Sequence, residues 1–198
     1  MAWNELGHDA EKQNKEIRDR WISVYIGIVA VILAICTMGG GNATKDSTRF
    51  NIEATNGWAF FQAKNLRRNA LMMSVDELDM TLRTNAALTA DGRAWIEDKI
   101  NSRKADIARL TNDPVGKEGL DQIFAKNKAI EKDRDEALRR DPYFDYGQAF
   151  LQIAIVIASV ALISNGTMLL LFSVVFALLG ILATLNGFTL LVTVPFIG

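Results

Sequence analysis

The side chains best equipped for chemistry are few and scattered. The 198-residue chain has one cysteine, Cys36, and one histidine, His8. A single cysteine permits no intrachain disulfide and no paired-cysteine metal site. His8 lies in a polar N-terminal stretch, which argues against a Ser/His/Asp triad in a folded region and against a His-rich zinc site. Arg67-Arg68 and Arg139-Arg140 are the densest basic pairs, but neither adjoins a glycine-rich loop of the kind that cradles phosphate. No nucleotide, zinc, calcium or hydrolase motif is present. The sequence therefore predicts no catalytic residue, no metal and no cofactor.

What remains is a set of amides and rings. Gln148 and Gln152 stand one helical turn apart at the start of an apolar run, and Asn186 falls late in another. Within hydrocarbon, an amide either lines a polar pathway or hydrogen-bonds a neighbouring helix, the latter worth roughly 0.6–2 kcal/mol. Gln152 and Asn186 are thus candidate helix-packing or pore-lining residues. No acid, base or histidine accompanies them, which argues against proton-coupled transport. A second group is the stretch from Trp58 to Lys64, dense in aromatics within a polar region. Its rings must point to more than one face. Trp58, Phe60 and Phe61 are candidates for a subunit or partner contact as well as for the core of a small bundle. A thin core gains from oligomerisation.

The elements that would hold these residues follow from where charge is missing. From Gly147 to Gly198 there is no Asp, Glu, Lys, Arg or His. Two apolar runs in this stretch, separated by the turn Ser164–Thr167, predict a transmembrane helical hairpin, with spans over 148–163 and 167–194. A further apolar run over 21–39 is roughly 28 Å long as a helix, close to the thickness of a hydrocarbon core. Trp21 and Tyr25 suit the interfacial level, with Arg18 and Arg20 just outside. The run is long for a signal peptide, and Cys36-Thr37-Met38 is a poor cleavage site. The glycines Gly39-Gly40-Gly41 are expected to end or bend this helix, each costing roughly 1 kcal/mol relative to Ala. The alternative is that they allow close backbone packing between subunits.

Residues 1–20 form a polar tail. Residues 40–147 form a charged extramembrane domain with 18 Lys+Arg and 18 Asp+Glu. Its apolar spacing is helical throughout. The pattern from Asn42 to about Ala87 reads as one long helix with a kink or as two in series, since Ser74-Val75-Asp76-Glu77 has the capping-box form. A break is expected at Ala90-Asp91-Gly92. Helices over 93–110 and 119–140, joined by the turn at Thr111–Gly116, read as an antiparallel αα-hairpin. The fold class is all-α: three transmembrane helices with a helical, αα-hairpin or coiled-coil-like domain between the first and second. Three spans put the N-terminal tail opposite residues 40–147.

Four stretches carry a resemblance. They are the first span ending in Gly39-Gly40-Gly41-Asn42; Trp58-Ala59-Phe60-Phe61-Gln62-Ala63-Lys64; Asp141-Pro142-Tyr143-Phe144 followed by Leu151–Val156; and Leu185-Asn186-Gly187-Phe188. In this combination the chain resembles the bacterial membrane proteins grouped as domain of unknown function 4337. The resemblance implies a multi-pass protein of the bacterial inner membrane. It implies no activity and no site residues.

The expected function is non-enzymatic: a self-assembling membrane scaffold or an accessory subunit of a membrane complex. Its expected partners are the lipid bilayer and either further copies of itself or another membrane protein. The net charge of −1 gives no pull toward nucleic acid. The alternative is a homo-oligomeric channel or conduit with a helical vestibule. Positive charges beside the first span favour a cytoplasmic tail and a periplasmic 40–147 domain.

Overall fold

The computed structural model describes residues 2–193, with side chains at Gln13 and from Lys15 onward. The described residues form four α-helices and no strand. These are α1 (Ala2–Thr84), α2 (Ala90–Thr111), α3 (Leu120–Ser164) and α4 (Thr167–Thr189). By length and composition, α1, α3 and α4 can each cross a membrane. The chain divides into two compact units, Met1–Ser47 with Asp135–Gly198, and Thr48–Arg134. Helices α1 and α3 contribute to both.

Two expected interruptions are absent. Helix α1 runs unbroken through Gly39-Gly40-Gly41. Their missing side chains are used for packing instead: a Cβ on Gly39 would stand 2.5 Å from the Phe144 ring, and one on Gly40 would stand 3.1 Å from its Cβ. Close contact with a buried ring offsets the low helix propensity of the glycines. Helix α3 continues from the charged region through Pro142 into the apolar run. A proline inside a helix removes one backbone donor and crowds the carbonyl of the preceding turn, at a cost of about 3 kcal/mol that the packing of α3 must offset. The expected restart near Ser74 is also absent, because Ser74 lies inside α1 and the pattern from Asn42 onward forms one helix rather than two in series.

Other boundaries shift. The break after α1 spans 85–89, ahead of Ala90-Asp91-Gly92, and Thr89 caps α2 by accepting from the Gly92 N–H at 3.1 Å. Helix α4 stops at Thr189, short of the expected 194, because Leu190 turns left-handed at φ 49°. Residues 190–193 are not helical, and position 194 itself lies outside the described residues.

In the apolar unit the buried positions recur every seven residues on α1: Ile22, Val29, Cys36 and Ala43. On α3 they are Phe144, Gly147, Leu151, Ala154, Ala158 and Ala161, and on α4 Ser173, Ala177, Gly180, Thr184 and Gly187. Spacings alternating between three and four define a coiled-coil-like seam. The seam is mostly small, and the large side chains point away from it. Leu182 is 62% exposed and Val31 61%, whereas Ala154 and Ala158 are 0% exposed. This inverts the usual distribution of a water-soluble protein.

In the charged unit the buried positions are mostly large aliphatic side chains, and the aromatic rings gather beside them. Trp58 and Phe61 meet Phe124 edge-on or tilted, with ring centroids 5.5–6.2 Å apart. Ile96, Ile100, Leu110, Leu120, Ile123 and Ile130 are buried. At the α2–α3 turn, the Gln122 side chain accepts from the Asp113 N–H and donates to Asn112. The turn between α2 and α3 is thus fastened by its own side chains.

Candidate functional site

The polar groups of the apolar unit were the residues best placed for a role, and most are consumed by local packing. Ser173 is fully buried on α4 and donates to the Ala154 carbonyl of α3 at 2.7 Å. The Tyr25 hydroxyl of α1 lies 2.9 Å from the same Ser173 oxygen. One hydroxyl therefore ties three helices together. Cys36 is fully buried, and its thiol donates to the Phe144 carbonyl at 3.3 Å. Thr184 donates back to the Gly180 carbonyl. Ser173, Cys36 and Thr184 each donate to a backbone carbonyl, so none is poised as a nucleophile beside a base. Among the described residues no cluster of His, Cys, Asp and Glu has metal-binding geometry. The His8 side chain lies outside the described ones.

Asn186 is committed to the end of α4. Its Nδ2 donates to the Val192 carbonyl at 2.7 Å, and its Oδ1 accepts from the Val192 N–H at 2.9 Å. Tyr143 of α3 donates its hydroxyl to the same carbonyl at 3.1 Å. The chain reverses at Leu190 and is fastened back on α4 by this one amide. Gln152 is placed differently. It follows the fully buried Leu151 but is itself exposed on the outer face of α3, and its amide makes no hydrogen bond to the described residues. Ala149, Val156 and Val160 lie on the same exposed side.

In the charged unit, the three rings singled out in the sequence separate. Trp58 and Phe61 turn toward Phe124, and the Trp58 indole donates to Glu131 at 2.9 Å. Phe60 points outward, 51% exposed, with the Lys64 ammonium 5.4 Å from its ring centre. Lys128 pairs with Glu131 at 2.8 Å, and together with the indole N–H it holds the Glu131 carboxyl below its usual range. Sequence reasoning missed Asn127. It is buried on α3, and a Cβ on Gly57 of α1 would lie 2.0 Å from its Oδ1. The available signal was an amide at a core spacing, between Ile123 and Ile130.

The geometry thus describes an all-helical chain with three membrane-length apolar helices around a small-residue seam and no catalytic constellation among its described residues. The family described as Domain of unknown function (DUF4337) matches over residues 18–190, and the chain belongs to it. The chain matches none of the curated proteins and none of the solved structures.

Proposed function

We propose that this is a non-enzymatic, three-span integral membrane protein that assembles with further copies of itself. It would serve as a scaffold or as an accessory subunit of a larger membrane complex. The observation that carries this reading is the outward amide of Gln152. In a bilayer, an unpaired polar group facing lipid costs several kcal/mol. A second copy brings an identical amide, which both donates and accepts and so satisfies the first. Two further features support the same reading. The exposed side chains of α4 are mostly aliphatic, among them Leu171, Leu178, Leu182 and Leu185, as a lipid-facing surface requires. On α1, the small residues Ser23, Gly27, Ala30, Ala34, Thr37 and Gly41 are all exposed at alternating spacings of four and three. Nothing lies within 4 Å of a Cβ built on Gly27 or Gly41, so a neighbouring backbone has room to approach.

We place the protein in a bacterial inner membrane, with the tail cytoplasmic and residues 40–147 periplasmic. The conduit alternative now depends on Gln152, since both ends of the Asn186 amide are engaged at Val192.

The test is native mass spectrometry of the protein solubilised in mild detergent. A single closed homo-oligomer is expected, weakened in Gln152→Leu by roughly 0.6–2 kcal/mol per amide contact. A wild-type protein that is monomeric at all concentrations, or an assembly indifferent to Gln152→Leu, refutes the reading.

A further inference from the structure

Beside the reversed end of α4 lies a cleft of 450 Å³, within the usual range of roughly 300–1,000 Å³ for ligand sites. Its walls include Tyr143, Leu182, Ala183, Leu185, Leu191 and Val192. Three polar side chains reach it, and each is already occupied. Tyr143 and Asn186 bond Val192, and Thr189 donates to the Leu185 carbonyl at 2.8 Å. The reversal at Leu190 raises Leu191 and Val192 as one lip, and the Asn186 amide fixes that lip in place. What the cleft offers an occupant is therefore hydrocarbon. Just beyond it the chemistry changes: exposed Arg139 stands one helical turn before Tyr143 on the same side of α3. An apolar slot ending one turn from an exposed guanidinium suits a ligand with a long chain and an anionic head.

We infer that this cleft binds an anionic phospholipid, with one acyl chain along Leu182 and Leu185 and the phosphate at Arg139. The inference rests on the membrane reading above. The aliphatic walls take the chain because it buries apolar surface without stranding a polar group. The guanidinium takes the phosphate through charge-assisted hydrogen bonds.

The test uses the full chain, stripped of lipid in detergent and offered phosphatidylglycerol or phosphatidylcholine with identical acyl chains. Bound lipid is counted by native mass spectrometry. One phosphatidylglycerol per chain is expected, preferred about fivefold, as one arginine at a membrane surface would give. Arg139→Gln should abolish the preference and leave phosphatidylcholine binding as it was. Ala183→Phe should fill the cleft and lose both lipids, with helicity by circular dichroism as its folding control. Arg139→Gln alters an exposed position and keeps the proposal testable even where the filled cleft does not fold. Equal binding of the two lipids by wild type, or undiminished binding by folded Ala183→Phe, overturns the inference. So does lipid binding only by a chain ending at Thr193, which would assign the cleft to the chain's own residues 194–198. Carbonate extraction of membranes separates the two readings. A chain that washes off defeats both, whereas a chain that stays in the membrane without this lipid pattern defeats only the cleft.

Discussion

The apolar and charged units use one device, a glycine hole, with opposite fillers. In the apolar unit, Gly39 and Gly187 receive the Phe144 ring, and Gly147 faces Gly180 so closely that a Cβ on Gly180 would lie 3.0 Å from the Gly147 carbonyl. In the charged unit, Gly57 receives the amide of Asn127. The difference follows from what drives association in each setting. In water, burying large side chains such as Ile96, Ile123 and Ile130 supplies the free energy, so a polar filler can be carried to fix register. On the membrane reading proposed above, burying a large side chain gains little, so dispersion between closely approached backbones takes over, in keeping with the Gly, Ala and Ser that make up much of the seam.

The largest expected effect tests that contrast directly. Gly180→Leu puts carbon where Leu151 Cγ already lies within 2.6 Å of a single Cβ, against rigid backbone. A loss of about 3 kcal/mol is expected in thermal unfolding of the full chain in detergent. An unchanged midpoint would mean that the α3–α4 crossing is looser than described. In the charged unit, Gly57→Ala should cost about 2 kcal/mol, because the added methyl meets Asn127. Here the filler is a side chain, so the double variant Gly57→Ala/Asn127→Ala should recover most of the loss. No recovery would mean that the two residues are uncoupled.

Asn186→Ala comes next, at about 1–2 kcal/mol for the bonds to Val192. Faster hydrogen exchange of the Val192 amide is the readout, and unchanged protection would remove Asn186 as the fastener of the cleft's lip. Lys117 and Leu190 both adopt positive φ, at 55° and 49°. Glycine at either site should stabilise by up to about 1 kcal/mol. Lys117→Gly is the cleaner comparison, being exposed, and a fall in its melting midpoint would show that the side chain has a role there. The smallest effect concerns pH. The Glu131 carboxyl is held below its usual range first by Lys128 and then by the Trp58 indole. Its contribution is present above the unfolded-state pKa and is lost as pH falls through the lowered folded value. Glu131→Gln should flatten stability against pH in that acid window, and an unaltered acid limb would show that the pairing is not maintained in solution.

Much of this organisation was legible in the chain, for reasons that particular residues make plain. The uncharged stretch after Tyr146 has one economical fate as helices, and the turn at Ser164–Thr167 divides it, with the break falling at Asn165 and Gly166. Gly39-Gly40-Gly41 misled because intrinsic propensity was weighed without a partner. The ring that fills the space comes from Phe144, about a hundred residues later, and no local pattern announces that distance. Gln152 and Asn186 looked equivalent as lone amides, yet one is exposed and the other clasps Val192.

The sequence by itself determined the helical class and the three apolar helices, because charge and periodicity are local properties. Only the tertiary structure decided which glycine admits which filler, which amide is spent and where a cleft opens. Those depend on the approach of helices far apart in sequence, where shifts of a few tenths of an ångström separate contact from clash.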